Sequence, residues 1–181
     1  CVHIDDYERD VIRKHEKTRP DKEDDRTRHV LTLNANAEPV FLTYRGRRDI
    51  DQLAERTVPT APLYDFIAPD GVRHTVWPIP DAEPFVHAFG QVPHAYVADG
   101  HHRSASAWRA GKELRARYPG RTDAEYEWFL AVLFPADQLR ILPYNRVVKD
   151  LNGLSASQAL ARLARIGEVT TTSDPVPLGP G

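Results

Sequence analysis

The chain has 181 residues, enough for a domain with a sizeable core, and 41% of them are hydrophobic, which excludes wholesale disorder. Its formal net charge of −2 argues against broad nucleic-acid binding, because affinity for a phosphate backbone needs clustered, unopposed lysines and arginines. The single cysteine excludes an internal disulfide, and no apolar run approaches the roughly 20 residues of a membrane span. We therefore expect a cytoplasmic protein without membrane or nucleic-acid partners.

The chain begins at Cys1, contains no methionine and ends in a Pro/Gly-rich run. These features predict a segment of a longer protein, truncated at both ends. Within it we expect one domain over residues 1–172 and a disordered tail over residues 173–181.

The first half of the chain mixes strands and helices. Pro20 suits the first turn of a helix with Thr18 as N-cap, and Pro-Asp-Gly at 69–71 between two apolar runs is typical of a hairpin. The predicted elements are a strand end at 2–4, a turn at Asp5 and Asp6, a helix at 20–33, a strand at 39–44, a helix at 49–56, strands at 62–68 and 72–78, and a helix at 81–89.

The second half continues the mixture. The run YEWFLAVLF at 126–134 is the most apolar of the chain and predicts a central strand. The other predicted elements are a strand at 95–98, a helix from there to Tyr118, a strand at 141–148 interrupted at Pro143, a helix at 155–166 with Ser155 as N-cap, and a last strand at 168–172. Hairpin and strand–helix units in one chain predict an α+β fold with a mixed sheet.

The most informative stretch is ADGHHRSASA, residues 98–107, where a strand enters a helix through a tight turn. The first N–H groups of a helix lack intrahelical partners and carry partial positive charge, so such a turn can hold an anion. The candidate phosphate-binding residues are Gly100, His101, His102, Arg103 and Ser104.

Asp-Gly between strand and helix is also ordinary turn chemistry, and paired histidines can be simple surface residues. The high density of polar and charged side chains favours a ligand-binding role over a simple turn. Four of them lie within five positions: Asp99, His101, His102 and Arg103.

Other polar residues are candidates for the same site. His15 and Glu16 lie just before a predicted helix, where a loop can aim them inward. Arg26 and His29 share a face of that helix, since residues three apart are neighbours on a helix surface. Asn145 and Arg146 form a weaker pair of candidates. The charges around these residues are otherwise those of a solvated, salt-bridged helix.

Three blocks carry a resemblance to a known family: residues 5–29 followed by NANAEPVFLTYR, then AYVADGHHRSASA, then FLAVLFPADQLRILPYNRVVKDLNGL. Together they resemble domain of unknown function family 1015, over nearly all of the chain. Members of that family are longer, with portions on both sides of this region. The ADGHHR turn is also similar to the phosphate-binding turn of the ParB and sulfiredoxin superfamily, which implies a ParB/sulfiredoxin-like nucleotide-binding domain.

The superfamily resemblance implies roles for individual residues. It makes Gly100 and Arg103 the phosphate contacts. Sulfiredoxin has its catalytic cysteine where this chain has His101, which disfavours sulfinic-acid reduction. ParB has an arginine where this chain has Ala105, which disfavours a CTP-dependent DNA clamp.

The free-serine kinases of the superfamily carry a similar Asp-Gly-His-His-Arg turn and an upstream His-Glu pair. This likeness implies that Glu16 is the general base, accompanied by His15. Phosphoryl transfer needs charge neutralisation and alignment, which the turn supplies, and a carboxylate beside the acceptor hydroxyl, which Glu16 or Asp99 supplies. We expect a kinase that uses ATP or ADP to phosphorylate a free amino acid such as serine, with Glu16, His101 and Asp99 catalytic and Mg²⁺ held partly by Asp99.

Three alternatives stay open. The first is a nucleotide-dependent binding switch without turnover. The second is a metal-dependent hydrolase built on Asp99, His101, His102 and another acid or histidine, which the absence of an HExxH-like spacing disfavours. The third is a structural or DNA-associated role, which the near-neutral charge disfavours.

Overall fold

A computed structural model describes residues 1–121, 124–142 and 145–173. It divides the chain into two compact units, Cys1–Leu139 and Arg140–Gly181. The fold is α+β, as the sequence predicts. No helix among the described residues is long and apolar enough to cross a membrane.

The strands are β1 (Val2–His3), β2 (Ile12–Arg13), β3 (Val40–Tyr44), β4 (Tyr64–Ile67), β5 (Arg73–Val76), β6 (Ala95–Asp99), β7 (Trp128–Phe129) and β8 (Ala131–Pro135). The helices are α1 (Ile4–Glu8), α2 (Pro20–Leu33), α3 (Arg48–Thr57), α4 (Glu83–Gly90), α5 (His101–Arg117) and α6 (Ala156–Leu163). Single 3₁₀ turns cover Glu125–Glu127 and Ala136–Gln138.

A mixed sheet of four strands, in the order β2-β6-β3-β8, forms the centre of the first unit. The outer pairs β2–β6 and β3–β8 are parallel, whereas the central pair β3–β6 is antiparallel. Register shifts between β3 and β6, because Phe41 pairs with Asp99 and Leu42 pairs with Val97. The extra residue, Ala98, bulges the end of β6 just before the turn to α5.

The core of this unit forms where α5 packs against the sheet. Along β3, residues Val40, Leu42 and Tyr44 are buried in alternation, as expected when one face of a strand meets a core. Apart from His101, the buried residues of α5 are small, and a Cβ added to Gly111 would lie 2.6 Å from the Tyr126 carbonyl oxygen. Small side chains therefore allow α5 to approach its neighbours closely.

Several predicted elements are confirmed. The helix at 20–33 begins at Pro20 and ends at Asn34, whose φ of +52° is left-handed. The predicted hairpin is the antiparallel pair β4–β5, with Gly71 at a φ of +84° in its turn. Ser155 caps α6 in a reciprocal capping box with Gln158.

Two predictions near the amino end are wrong. Asp5 and Asp6 lie in helix α1 rather than in a turn, because the His3 imidazole accepts a hydrogen bond from the Asp5 N–H and both acids suit a first turn. Thr18 does not cap α2, since its hydroxyl hydrogen-bonds Glu23 and Arg19 occupies the N-cap position.

The predicted central strand at 126–134 is also wrong. The segment is a 3₁₀ turn followed by two short strands that separate at Leu130. The first, β7, pairs with β1, and the second, β8, is an edge of the four-stranded sheet. The apolar composition of residues 126–134 indicates burial but not strand partners. The segment is divided because its first part pairs with β1 and its second part pairs with β3.

In the second unit, helix α6 is shorter than the predicted 155–166. The described residues 141–142, 145–148 and 168–172 form no strand, so both strands predicted there are not observed. The predicted disordered tail lies outside the described residues apart from Ser173.

Candidate functional site

The candidate site lies at one edge of the four-stranded sheet, where the parallel strands β2 and β6 both end. His15 and Glu16 follow β2 after a single residue, and Gly100 and His101 follow β6 directly. The carboxyl ends of neighbouring parallel strands open at the same edge, which is where α/β proteins commonly bind ligands. The topology therefore brings together residues that are far apart in sequence.

Gly100 is the N-cap residue of α5 and has a φ of +96°. A side chain there would be strained, and its Cβ would lie 3.1 Å from Arg103 Nε. No described side chain accepts a hydrogen bond from the first N–H groups of α5. The first turn of a 17-residue helix thus keeps N–H groups that can receive an anion.

His101 is the buried member of the site, with 6% of its surface exposed. Its Nδ1 lies 3.6 Å from Glu16 Oε2, and its ring meets the His15 ring edge to face at a centroid distance of 4.3 Å. In the part of the chain that the structure describes, its Nε2 has no hydrogen-bond partner. His101 therefore lies in contact with the two upstream residues and keeps unused hydrogen-bonding capacity at Nε2.

Burial lowers the pKa of the His101 imidazole below its ordinary value. The neighbouring His15 lowers this pKa further, whereas Glu16 and Asp99 oppose the shift without cancelling it. The imidazole is therefore neutral at neutral pH, when one ring nitrogen donates a hydrogen bond and the other accepts one.

Arg103 is fixed by partners on the other side of the turn. Its Nη1 donates to the Pro39 carbonyl oxygen at 2.6 Å and lies 3.2 Å from Glu38 Oε2. Its Nη2 donates to Asp99 Oδ2 at 2.6 Å. The guanidinium thereby joins the end of β6 to the start of β3, and a phosphate here would compete with two carboxylates.

The remaining predicted residues of the turn serve local structure. The Ser104 hydroxyl is fully buried and donates to the Gly100 carbonyl oxygen at 3.1 Å. His102 Nε2 accepts a hydrogen bond from the Arg19 N–H at 3.2 Å, which ties the loop before α2 to α5. Ser104 is shielded from solvent, whereas His102 is half-buried and retains a solvent-exposed surface.

Arg26 and His29 line a small cleft of about 70 Å³ that also borders Arg103 and Glu38. Both side chains are exposed on α2. This volume is well below the roughly 300–1,000 Å³ of small-molecule sites. The structure thus places these two predicted residues on the Arg103 side of the turn, away from the residues that surround His101.

Asn145 and Arg146 lie in the second unit, and their predicted role stays a prediction. Sequence reasoning missed Glu38, which pairs with Arg103. The position of Glu38 just before β3 gave little indication of a role at the site. Only the antiparallel pairing of β3 with β6 brings it beside α5.

His15, Glu16 and His101 form a possible metal centre. Each offers one ligand atom, and these atoms all lie within 4.8 Å of one another. Among the described residues, Asp99 and His102 belong to no such group, because Asp99 faces Arg103 and His102 faces Arg19. Asp99 still has a carboxylate oxygen without a described partner, and its role toward Mg²⁺ stays a prediction.

Comparison with known proteins adds one finding. The model of a family described as "Protein of unknown function (DUF1015)" matches residues 1–177. No curated protein and no solved structure matches the chain.

Proposed function

The chain belongs to the DUF1015 family of proteins of unknown function, and we propose that it binds a nucleotide at the amino end of α5 and transfers a phosphoryl group to a small hydroxylated acceptor. The observation that carries this proposal is the position of the Glu16 carboxylate, 3.6 Å from His101 at a helix end that no described side chain caps. A base and an anion-binding helix end are the two groups that phosphoryl transfer requires.

Local charges support the same proposal. The free N–H groups of the first turn and the side chains of His101 and His102 are donors for phosphate oxygens. The small cleft beside Arg103 has Arg26 and His29 on its wall, which adds donors for an anionic ligand. The likeness of ADGHHR to the phosphate-binding turn of the ParB and sulfiredoxin superfamily agrees with this placement.

In the proposed reaction, the acceptor hydroxyl oxygen attacks the terminal phosphorus and its proton passes to Glu16. The bond between that phosphorus and the bridging oxygen breaks, so ATP leaves as ADP, or ADP leaves as AMP. A free amino acid such as serine is the proposed acceptor. His101 lies beside Glu16, and its unpartnered Nε2 would donate to a phosphoryl oxygen.

Mg²⁺, when bound with the nucleotide, neutralises phosphate charge. In this chain Asp99 is the carboxylate of the turn that would share it, through the oxygen that does not face Arg103.

Titration calorimetry tests the binding step. The full chain is titrated with ATP, ADP and CTP in the presence of Mg²⁺, and we expect saturable heat with ATP or ADP. An absence of heat with all three would overturn the proposal. Heat without formation of phosphoserine from serine would instead identify a nucleotide-dependent switch without turnover.

A further inference from the structure

Two residues that the proposed transfer uses, Glu16 and His101, lie with His15 in a set of metal-ligating side chains. His15 and His101 offer imidazole nitrogens and Glu16 offers a carboxylate oxygen, all within 4.8 Å. Mg²⁺ prefers oxygen ligands, whereas two imidazoles and one carboxylate suit zinc and neighbouring transition metals. We propose that His15, Glu16 and His101 bind a divalent transition-metal ion such as Zn²⁺.

Burial and pairing at the site fit a ligand. His101 is nine-tenths buried, and no described group hydrogen-bonds its Nε2, so this polar side chain has unused capacity in the site. Glu16 makes no ion pair with a lysine or arginine among the described residues, and its contact is with His101. Its negative charge is therefore available to a cation.

The three ligand residues differ in burial, and this difference affects how they can approach a metal. Tetrahedral zinc with bonds of about 2.0–2.2 Å holds its ligand atoms roughly 3.3 Å apart, closer than the present spread. His15 and Glu16 are exposed in the loop between β2 and α2, so they can close on a metal. His101 is fixed by the packing of α5 and supplies the anchored ligand.

Three protein ligands leave a fourth position for water or for a ligand oxygen. Metal binding also engages Glu16, which removes the base of the proposed transfer reaction. Zn²⁺ is therefore expected to inhibit phosphoryl transfer, whereas Mg²⁺ supports it. The metal site itself goes beyond the proposed function and does not depend on it.

Cobalt substitution tests the site directly. Untagged, chelator-treated full chain is titrated with Co²⁺, whose visible absorption intensifies in a four-coordinate protein site. We expect one Co²⁺ per chain, displacement by Zn²⁺, and no displacement by Mg²⁺ at equal concentration. His15→Ala and Glu16→Gln, both exposed loop changes, are expected to weaken Co²⁺ binding at least tenfold.

His87→Ala is the matched control, because His87 is an exposed histidine on α4 outside the cluster. It is expected to leave Co²⁺ binding unchanged. The proposal is overturned if no visible band forms, if His15→Ala binds Co²⁺ as the parent does, or if Mg²⁺ displaces Co²⁺ as readily as Zn²⁺.

Nucleotide titration of the same samples separates the two proposals. Nucleotide heat without a cobalt band overturns the metal site alone. A cobalt band without nucleotide heat overturns the proposed function alone.

Discussion

The two ends of helix α5 use charged residues in different ways. Toward the carboxyl end, Arg115 binds Asp5 at 2.9 Å and Glu127 at 2.7 Å, and Lys112 binds Glu8 at 2.7 Å. These pairs join α5 to α1 and to the 125–127 turn.

At the amino end the helix is uncapped by any described side chain, and the buried His101 keeps an unpartnered nitrogen. Paired charges position the carboxyl end of the helix. At the amino end Arg103 is also paired, but the first N–H groups and His101 Nε2 are unsatisfied and can receive a ligand. The difference predicts that changes at the amino end alter function and that changes toward the carboxyl end alter stability.

The largest expected effect is on turnover and comes from Glu16→Gln. Loss of a general base typically lowers kcat by about 10²–10⁴-fold, while the exposed glutamine leaves the anion-binding turn intact. Steady-state kinetics should show the lower kcat, and nucleotide calorimetry should show an unchanged nucleotide affinity. Glu55→Gln, an exposed change on α3, is the control and should match the parent. A Glu16→Gln protein with parental kcat would remove Glu16 from the mechanism.

A second effect concerns nucleotide affinity. Arg103→Ala removes a charged donor to phosphate, and such hydrogen bonds contribute about 1.5–3 kcal/mol, so Kd is expected to rise about tenfold or more. Arg109→Ala is the control, because Arg109 lies on the same helix and also pairs with two carboxylates.

Glu38→Gln sharpens this test. It removes one carboxylate that competes with phosphate for Arg103, so nucleotide is expected to bind a few-fold tighter. Calorimetry measures both changes. If Arg103→Ala and Glu38→Gln both bind nucleotide with parental affinity, Arg103 only joins β6 to β3 and does not contact the ligand.

The third effect is on stability at the turn itself. Gly100→Ala forces a left-handed conformation on alanine, which costs about 1–2 kcal/mol, and brings a Cβ against Arg103. Gly120→Ala is matched in strain, since its φ is +85° and nothing lies within 4 Å of its Cβ. Urea unfolding should show similar losses for both, and calorimetry should show weakened nucleotide binding only for Gly100→Ala. Equal nucleotide affinity in the two variants would argue against a ligand at the turn.

The smallest effect is at the other end of α5 and depends on pH. Hydrogen bonding to Arg115 lowers the pKa of both Asp5 and Glu127. A lowered carboxyl pKa stabilises the fold above the ordinary value of about 4, and this stability is lost as the pH falls through the lowered pKa.

Arg115→Met is therefore expected to reduce stability at neutral pH, by less than about 1 kcal/mol per pair because the groups are partly exposed. It should also flatten the loss of stability between about pH 5 and pH 2. Thermal unfolding across this range measures both. If Arg115→Met loses stability with falling pH in the same way as the parent chain, these ion pairs do not stabilise the fold.

Local patterns predicted the elements that depend on local chemistry. Pro20, the Pro-Asp-Gly turn and Ser155 each set an element boundary by their own conformational preference, and the structure has a helix or hairpin at each. The strand–turn–helix at Ala98–Ala107 was predicted for the same reason, because Gly100 permits the left-handed turn.

Features that depend on long-range pairing could not be predicted in this way. The short strand β2 was missed because two residues carry no periodic signal, yet its parallel pairing with β6 brings His15 and Glu16 to His101. The division of residues 126–134 between β7 and β8 likewise depends on two different partners. The ion pairs of Arg103 with Glu38 and Asp99 also depend on the folded chain, and its role as a phosphate contact stays a prediction.

Phosphorus NMR of the full chain with Mg²⁺, ATP or ADP, and serine tests the central claim most directly. We expect a new phosphomonoester resonance, with loss of the terminal phosphate signal of the nucleotide, in the parent chain and not in Glu16→Gln. A spectrum that stays unchanged with both nucleotides, or a product that forms equally in Glu16→Gln, would contradict it.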